Sequence, residues 1–284
     1  MTDKGERTTM EAEMEEYRIE PAGAGIKKGL AVIVLAAGFI GSFMGLGIDM
    51  GKFVERLSNV GPVLRRMAAI NLTILPDIAA GIGISMALAV VSLLAGAVIS
   101  VILAFLAASN ITPLPILAAA IKGIVAVIRA VPALVWVLMV AASIGFGNTG
   151  GMIGLMFPVI GYLTKSFIAT IEEQGGGAIE AMRASGTRWI DIVLKGLLPE
   201  SIPGFISWIA IRFESNIAES ISFGMVGVSG IGMLLNRAIY QYKYSSITTI
   251  ILVIFLSMFV IEILSNYITC LLYTSPSPRD PKTS

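Results

Sequence analysis

Residues 78–108 read IAAGIGISMALAVVSLLAGAVISVILAFLAA and contain no charged side chain. As a helix rising 1.5 Å per residue, this run would be about 46 Å long, which exceeds the roughly 30 Å hydrocarbon core of a bilayer. We therefore expect a transmembrane helix that tilts or projects beyond the bilayer. The whole chain agrees with a membrane protein, because 56% of its 284 residues are hydrophobic and only 14% are charged. Soluble domains carry about 25% charged residues.

Apolar segments continue on both sides of this run. They span 29–48, 114–146, 150–171, 203–223 and 246–268. Together with 78–108, they predict an all-α polytopic membrane protein with about six transmembrane helices. Lys27 and Lys28 stand just before the first segment and favour a cytoplasmic amino terminus. Residues 1–25 are then expected to be a polar cytoplasmic tail, and residues 26–269 to form the transmembrane domain.

The carboxyl-terminal segment has a different character. Residues 270–280, CLLYTSPSPRD, resemble the in-frame translation of a transposon-end adapter used in sequencing libraries. We therefore expect residues 270–284 to be a non-native tail. A natural tail that ends in a Pro-rich turn is the alternative. Cys270, the only cysteine of the chain, lies in this segment.

The composition also excludes several kinds of function. The chain has no histidine and, without Cys270, no thiol, so we expect no metal site, no cofactor and no catalytic residues. The formal net charge of +1 gives no basis for nucleic-acid binding. The remaining expectation is a protein that works within the lipid bilayer and is not an enzyme.

Residues 177–199, GAIEAMRASGTRWIDIVLKGLLP, form a charged stretch between the fourth and fifth apolar segments. The glycines at 175–177 should end the preceding helix. Glu180 should then lie in the first turn of a short helix, where a carboxylate suits the positive end of the helix dipole. Gly186 permits a second break, and apolar residues at helical spacing predict a second short helix that Pro199 ends. We expect two short helices along the membrane face, with an ordinary interfacial loop as the alternative.

Within this stretch, a Glu-Ala pair, a glycine six residues after the Glu, and a Leu-Pro pair follow one another. The spacing resembles the EAA loop of ABC-importer permeases. The chain departs from that pattern at Met182, where a second alanine is expected, and at Gly196, where an isoleucine is expected. In that family the loop is the coupling helix that docks into a cleft on the ATPase subunit. The resemblance therefore implies a coupling loop at 175–200, with a coupling role for Glu180, Ala181, Gly186, Leu198 and Pro199.

The resemblance continues over roughly residues 70–268. Four segments are similar to segments of the phosphonate-type ABC permease: IRAVPALVW (128–136), GYLTKSFIATIEE (161–173), RFESNIAES (212–220) and GMVGVSGIG (224–232). Methionine permeases share the Pro-containing third span and the Gly-rich segment. The fold that the resemblance implies is the type I ABC-importer permease architecture, in a prokaryotic plasma (inner) membrane.

The same resemblance implies a function and its partners. The chain would be a permease subunit that forms the path for phosphonate or a related small oxyanion, and a separate subunit would hydrolyse ATP. The implied assembly is a homodimer of permeases with two ATP-binding cassette ATPase subunits and an extracytoplasmic solute-binding protein. A methionine-type or other small-solute importer is the alternative. A self-sufficient secondary transporter is less favoured, because the chain shows no internal repeat with paired broken helices.

Charged residues inside the apolar segments are candidates for the substrate path. A charge at the bilayer centre costs about 2.5 kcal/mol or more, so it needs water or a partner. Arg129 lies about halfway along the third segment, three residues before Pro132. Pro132 should kink the helix and free a backbone carbonyl that could face a cavity. We expect both residues to line the path; a structural pairing of Arg129 with Glu214 is the alternative. Lys165 lies near the cytoplasmic end of its segment, where it can snorkel.

The fifth segment, which Pro203 is expected to open, carries a polar stripe. Its members recur at i, i+3, i+4, i+7 and i+10 and share one helix face: Arg212, Ser215, Asn216, Glu219 and Ser222. Such a stripe faces either a water-filled path or polar partners within the bundle. We expect the first four to line the path. Glu214 lies about 200° around the helix from Arg212, so these two side chains cannot pair.

The segment 224–232, GMVGVSGIG, is rich in glycine but is not a nucleotide site. It lacks the Gly-Lys-Ser/Thr ending of a phosphate-binding loop and does not follow a soluble strand. The resemblance implies a flexible re-entrant turn that closes the outer gate between spans five and six. The residues concerned are Gly224, Gly227, Gly230 and Gly232.

Overall fold

The computed structural model of the protein describes residues 24–47, 49–174 and 176–273. Most of the two expected tails, 1–25 and 270–284, therefore lies outside the described residues. All regular secondary structure within these ranges is helical. The helices are α1 (Ala24–Gly45), α2 (Met50–Leu57), α3 (Val60–Met67), α4 (Leu75–Ala107), α5 (Pro115–Ala130), α6 (Ala133–Ile144), α7 (Asn148–Glu173), α8 (Gly176–Ala184), α9 (Leu198–Gly224), α10 (Ile231–Tyr240) and α11 (Tyr244–Tyr273).

The chain divides into two compact units, Met1–Pro62 and Val63–Ser284. The described part of the first unit contains α1 and α2. Helix α1 includes the apolar stretch Lys27–Gly45, which has a mean hydropathy of 1.8 and the length to cross a membrane. Asp49 is the N-cap of helix α2, and its carboxylate accepts a hydrogen bond from the Lys52 N–H at 3.1 Å, as is usual for an N-cap.

The number of membrane-spanning helices agrees with the sequence. Within the described residues, five helices are long and apolar enough to cross a membrane, and the bent pair α5–α6 passes the same test as one unit. The five include α1, α4, α7 and α11, together with the helix that contains α9. The expected all-α fold with about six transmembrane helices is confirmed.

In the second unit, α4 and α7 pack in parallel. Gly96 of α4 faces Val159 of α7 so closely that a Cβ atom on Gly96 would overlap the valine side chain. At the carboxyl ends of the two helices, the backbone N–H of Ser109 donates to Glu172 Oε1 at 2.7 Å. In each of these two pairs, the α7 residue comes 63 positions after its partner in the chain. The two helices therefore run in the same direction and end at the same face of this unit.

The chain between α4 and α7 has to return to the opposite face, and α5 and α6 do this together. Lys122 Nζ of α5 lies 3.0 Å from Glu172 Oε1 at the end of α7. Val137 of α6 packs against Gly154 near the beginning of α7. The pair thus follows α7 in the antiparallel direction, although its two helices are bent by 94°. It forms one broken span, which corresponds to the expected third segment.

The break lies at Pro132, as expected, but its effect on the backbone differs from our expectation. Proline has no N–H to donate to the carbonyl of Ile128, four residues earlier. The indole N–H of Trp136 donates to this carbonyl instead, at 3.0 Å, and the Trp136 ring stacks on Phe157 of α7 with centroids 4.4 Å apart. The expectation that the freed carbonyl faces a cavity is therefore wrong, because a side chain satisfies it.

The fifth span also begins differently. A helical turn at Trp189–Asp191 leads into a π-helical segment, Ile192–Leu197, and directly into α9. The N–H of Leu198 donates to the carbonyl of Val193, five residues earlier. Pro199 lies in the first turn of α9, and Pro203 lies inside it. The expectation that Pro199 ends a separate helix and Pro203 opens the span is wrong, because the wider π turn lets the helix continue.

Helix α9 packs antiparallel to α4 through polar contacts. Asn216 Nδ2 donates to the Ala89 carbonyl at 2.7 Å, and Ser220 Oγ donates to the Ser85 carbonyl at 3.0 Å. Helix α11 then starts beside the beginning of α4, where the backbone N–H of Asn71 donates to Thr249 Oγ1 at 2.9 Å. The described part of the second unit therefore crosses from face to face five times.

The turn between α9 and α10 lies inside the depth of α4. Gly230 adjoins Ser85, and the Ile231 N–H, at the start of α10, donates to Ser85 Oγ at 3.2 Å. Ser85 is ten residues inside α4, which corresponds to about 15 Å of helix. The chain therefore enters the unit along α9, turns at 225–230 and leaves again along α10, which makes this segment re-entrant.

The glycines of this turn allow a close approach of two backbones. A Cβ atom on Gly224 would lie 2.7 Å from the Cα atom of Gly232, and a Cβ atom on Gly232 would overlap the carbonyl oxygen of Ile221. Gly230 has φ +135°, a conformation that other residues rarely adopt. The resemblance implied a flexible turn, and the structure adds that Gly224 and Gly232 allow close packing of the backbone.

We expect Gly232→Ala to destabilise the protein by about 1–3 kcal/mol, because overpacking of a close contact forces the backbones apart. The measurement is thermal unfolding of the purified protein in detergent. Gly83→Ala, on α4, is the matched control, because nothing lies within 4 Å of its added Cβ atom. Equal stability of the two variants would contradict the close-packing role of Gly232.

Candidate functional site

The first half of the candidate coupling stretch is the short helix α8. It starts at Gly176, so Gly176 and Gly177 form its first turn and Glu180 lies in its second turn. Helix α7 ends at Glu173, just before the glycines, as expected. The expectation that Glu180 lies in the first turn of the short helix is wrong.

Helix α8 is anchored on one side and open on the other. The side chain of Ile179 is 3% exposed and belongs to the same hydrophobic cluster as α4 and α7, and Met182 packs against this cluster. Glu180 and Ala181 are exposed. The helix is therefore held in a fixed position while it presents a carboxylate and a small residue on its outer surface.

Gly186 ends α8 in a defined way. Its φ is +75°, its N–H donates to the Arg183 carbonyl at 3.0 Å, and the Thr187 N–H donates to the Met182 carbonyl at 3.1 Å. These two hydrogen bonds, together with the left-handed conformation of Gly186, form a Schellman motif. Glycine is strongly preferred at this position of the motif. The glycine of the predicted motif is thus explained by the backbone conformation that it adopts.

The loop after α4, residues 108–114, connects the coupling stretch to the transmembrane helices. The Trp189 indole N–H donates to the Ile111 carbonyl at 2.8 Å, and Arg183 Nη2 donates to the Asn110 carbonyl at 2.9 Å. Asn110 Nδ2 in turn donates to the Ile171 carbonyl of α7 at 2.8 Å. The sequence analysis missed these roles of Trp189, Arg183 and Asn110, because their hydrogen-bond acceptors are backbone carbonyls, which leave no signal in a sequence.

The two departures from the EAA pattern touch each other. Gly196 stands where isoleucine is expected, and a Cβ atom placed on it would lie 3.0 Å from Met182 Sδ. Met182 stands where alanine is expected. This chain thus has a large residue at 182 and a small one at 196. The family pattern has a small residue at 182 and a large one at 196, so the two departures compensate each other in volume.

The residues of the polar stripe on α9 face different surroundings. At 100° per residue the stripe covers about 120° of the helix, in the order Ser222, Ser215, Glu219, Arg212 and Asn216. Exposure falls in the same order: the two serines are exposed, Glu219 is half-buried, Arg212 is 7% exposed and Asn216 is 0% exposed. One edge of the stripe therefore meets α4 inside the protein, and the other edge lies on its surface.

Arg212 is paired on its own helix. Arg212 Nη2 lies 2.6 Å from Glu219 Oε2, two turns further along α9, and its guanidinium carbon lies 5.8 Å from the centre of the Tyr162 ring. Arg212 Nε and Asn216 Oδ1 are buried without a hydrogen-bond partner among the described residues. Glu214 is half-buried on another side of the helix.

Arg129 does not pair with Glu214. Neither residue forms an ion pair with any residue that the structure describes, so the alternative structural pairing is not observed. Arg129 lies instead in a groove of about 350 Å³ between α5 and α7. Pro132 is exposed at the bend that follows.

The groove contains four charged side chains, which are Lys122, Arg129, Lys165 and Glu172. Lys122 and Arg129 are seven residues apart on α5, and Lys165 and Glu172 are seven apart on α7, so each pair lies on one face of its helix. The sequence analysis assigned Lys165 to snorkelling and gave Lys122 no role. The matching spacing of the two pairs was the available signal.

We expect Met182→Ala and Gly196→Ile each to destabilise the protein, the first by leaving a void and the second by a clash. The double variant should recover stability, with a coupling energy of about 0.5–3 kcal/mol in a double-mutant cycle. Thermal unfolding of the purified protein measures all four forms. Additive losses in the double variant would contradict the compensating contact.

Comparison with known proteins identifies the family of the chain. Residues 96–273 match the family described as binding-protein-dependent transport system inner membrane component. The phosphate-import permease protein PhnE of Mycolicibacterium smegmatis is 30% identical over 83% of this chain and 44% of its own length. The phosphite transport system permease protein PtxC of Stutzerimonas stutzeri is 31% identical over 60% of this chain and 62% of its own length. The chain thus spans about half the length of these relatives.

The fold is similar to that of a solved transporter. A structure of the MetNI methionine ABC transporter in an inward-facing conformation matches 72% of this chain and 99% of the solved chain, with a TM-score of 0.63 and 23% identity. This likeness concerns the helical arrangement alone. The family match covers more than half of the chain and includes the broken span, the candidate coupling stretch and the re-entrant turn. The protein belongs to the family of binding-protein-dependent transport system inner membrane components.

Proposed function

We propose that the chain is the permease subunit of an ATP-driven ABC importer and forms the path for phosphonate or a related small oxyanion. The observation that carries the proposal is α8, which is anchored by Ile179 and Met182 and exposes Glu180 and Ala181. Its Glu180-Ala181 pair belongs to the stretch that resembles the EAA loop, and this stretch lies within the residues that match the family. The names of the relatives, phosphate import and phosphite transport, support an oxyanion as the solute. Methionine permeases match at 25–31% identity over a smaller part of the chain, so a methionine-type solute is the second candidate.

The partners in this proposal follow from the same surface. ATP hydrolysis is assigned to two separate ATP-binding cassette subunits, one on the α8 of each permease in a homodimer. Leu198 and Pro199 complete the stretch and start α9. The face that carries α8 and the 108–114 loop is then cytoplasmic. The solute-binding protein docks on the opposite face, and the amino terminus is cytoplasmic, with Lys27 and Lys28 on the inner side of the membrane.

Movement of α8 would reach the transmembrane helices through hydrogen bonds. Arg183 and Trp189 hold the carbonyls of the 108–114 loop, and Asn110 holds the end of α7. Helix α9 is continuous with the turn that contains Trp189. A displacement of α8 by an ATPase subunit therefore acts on α4, α7 and α9 together, which is what alternating access requires.

The proposed path runs along the exposed edge of the polar stripe. Ser215 and Ser222 lie on this edge, and Glu219 is half-buried beside it. Arg212 and Asn216 form the inner side of the stripe, and Arg129 and Pro132 contribute from the broken span. Gly224, Gly227, Gly230 and Gly232 belong to the re-entrant turn, which we assign to the outer gate.

We expect Glu180→Lys to abolish substrate-stimulated ATP hydrolysis in the assembled importer, because it reverses the charge on the exposed surface of α8. The folded and inserted amount of the permease should stay the same, since Glu180 is exposed and forms no ion pair with a described residue. Stimulated ATP hydrolysis in proteoliposomes is the measurement. Glu55→Lys, an exposed carboxylate on α2, is the control and should retain full stimulation. Full stimulation in both variants would rule out the coupling role.

Cysteine labelling tests the assignment of the path. In a Cys270→Ser background, Ser215→Cys and Ser222→Cys should react with a small membrane-impermeant thiol reagent, and the rates should change when ATP binds. Ser220→Cys is the matched control on the same helix, because Ser220 is 0% exposed and should not react. If positions 215 and 222 are as unreactive as 220 in every transport state, the exposed edge faces lipid or protein and is not a path.

A further inference from the structure

Charged side chains line the groove between α5 and α7 in a regular arrangement. The two helices are antiparallel, and each contributes side chains from one face. At the end of the groove that lies beside the carboxyl end of α7, Lys122 Nζ forms an ion pair with Glu172 Oε1 at 3.0 Å. At the inner end, Arg129 and Lys165 line the groove and form no ion pair with any residue that the structure describes. Three cations and one carboxylate give the groove a net charge of +2, since 3 − 1 = 2.

The inner end lies deep in the membrane span. Helix α7 ends at Glu173, and Lys165 lies eight residues before this end, or about 12 Å along the helix. Arg129 lies deeper, because its Cγ atom would be 3.0 Å from a Cβ atom on Gly161, twelve residues or about 18 Å before the end. Gly161 therefore lets the stem of Arg129 lie flat on α7.

Two unpaired cations at this depth require an anion or water. Both side chains are exposed on the surface of the chain, and charged groups inside a bilayer do not face lipid tails. The guanidinium of Arg129 offers a fork of N–H donors that matches the oxygens of a phosphorus oxyanion, and Lys165 adds a point charge. Phosphate-type groups carry about −1.5 to −2 charges at pH 7, close to the net charge of the groove.

We infer that Arg129 and Lys165 form a binding site for a tetrahedral phosphorus oxyanion in the cytoplasmic half of the span. Lys122 extends the site towards the cytoplasm, and Glu172 reduces its affinity. The site takes either the transported anion before its release or the phosphodiester of a lipid headgroup, which offers its unesterified oxygens to the same donors. The first case rests on the proposed function, and the experiment separates the two.

The test is binding of methylphosphonate to the full-length chain in phosphatidylcholine nanodiscs, followed by phosphorus NMR line broadening without a binding protein or ATP. Wild type should bind saturably. Arg129→Gln and Lys165→Gln should each weaken binding about tenfold, since each removes a charged hydrogen bond. Glu172→Gln should strengthen binding several-fold, because it removes the only carboxylate of the groove; a merely unfolded variant cannot show this sign. Lys243→Gln, an exposed cation on the opposite face, should change nothing.

A second arm identifies the source of the anion. Nanodiscs that contain phosphatidylglycerol leave methylphosphonate binding unchanged if the site takes the free anion. They suppress it if the site takes a lipid headgroup, and native mass spectrometry then finds phosphatidylglycerol retained by wild type and lost from Arg129→Gln.

The inference is overturned if wild type binds neither methylphosphonate nor phosphatidylglycerol, or if the Arg129 and Lys165 variants bind as wild type does. The ATP hydrolysis test with Glu180→Lys does not involve the groove. A chain that couples to ATP hydrolysis without binding methylphosphonate or lipid contradicts this inference alone. A chain that binds but does not couple contradicts the proposed function alone.

Discussion

The parallel contact between α4 and α7 determines where the other parts of the second unit meet. Gly96 has no side chain, so Val159 can pack directly on the backbone of α4. Because the two helices run in the same direction, their carboxyl ends lie at one face, and α5 and α6 have to cross between them. The loop 108–114, the end of α7 and α8 therefore meet at that face. The broken span and the coupling stretch both depend on this one arrangement.

The sequence predicted the spans but not the course of the backbone at their ends. Long apolar segments are sufficient for spans, because a backbone in lipid has to satisfy its hydrogen bonds within a helix. Prolines gave the wrong boundary at Pro199 and Pro203, since a π-helical segment before them let the helix continue. That segment buries Ile192 and Val193 in the main cluster. Such packing depends on residues far away in the chain, and local patterns do not contain it.

The candidate site was predictable in its local part only. Helical spacing correctly placed the polar stripe on one face of α9, and the rotation of 100° per residue gives the order of its members. Which edge is buried depends on α4, which supplies Ala89 and Ser85 as acceptors. The groove cations show the same limit, because residues 122–129 and 165–172 become neighbours only when the broken span folds back along α7. The Met182–Gly196 contact likewise needs α8 to pack against the π segment.

Arg212, Arg129 and Lys165 of the second unit meet different environments, and this difference supports the roles that we propose for them. Arg212 is nearly buried, and Glu219 at 2.6 Å compensates its charge; removal of either partner would leave an uncompensated charge inside the protein. Arg129 and Lys165 are exposed on helices that cross the membrane and have no carboxylate as partner among the described residues. A protein that needed these charges only for stability would place carboxylates beside them, as it does at Arg212. Cations left open along a span are instead suited to an anion that arrives and leaves.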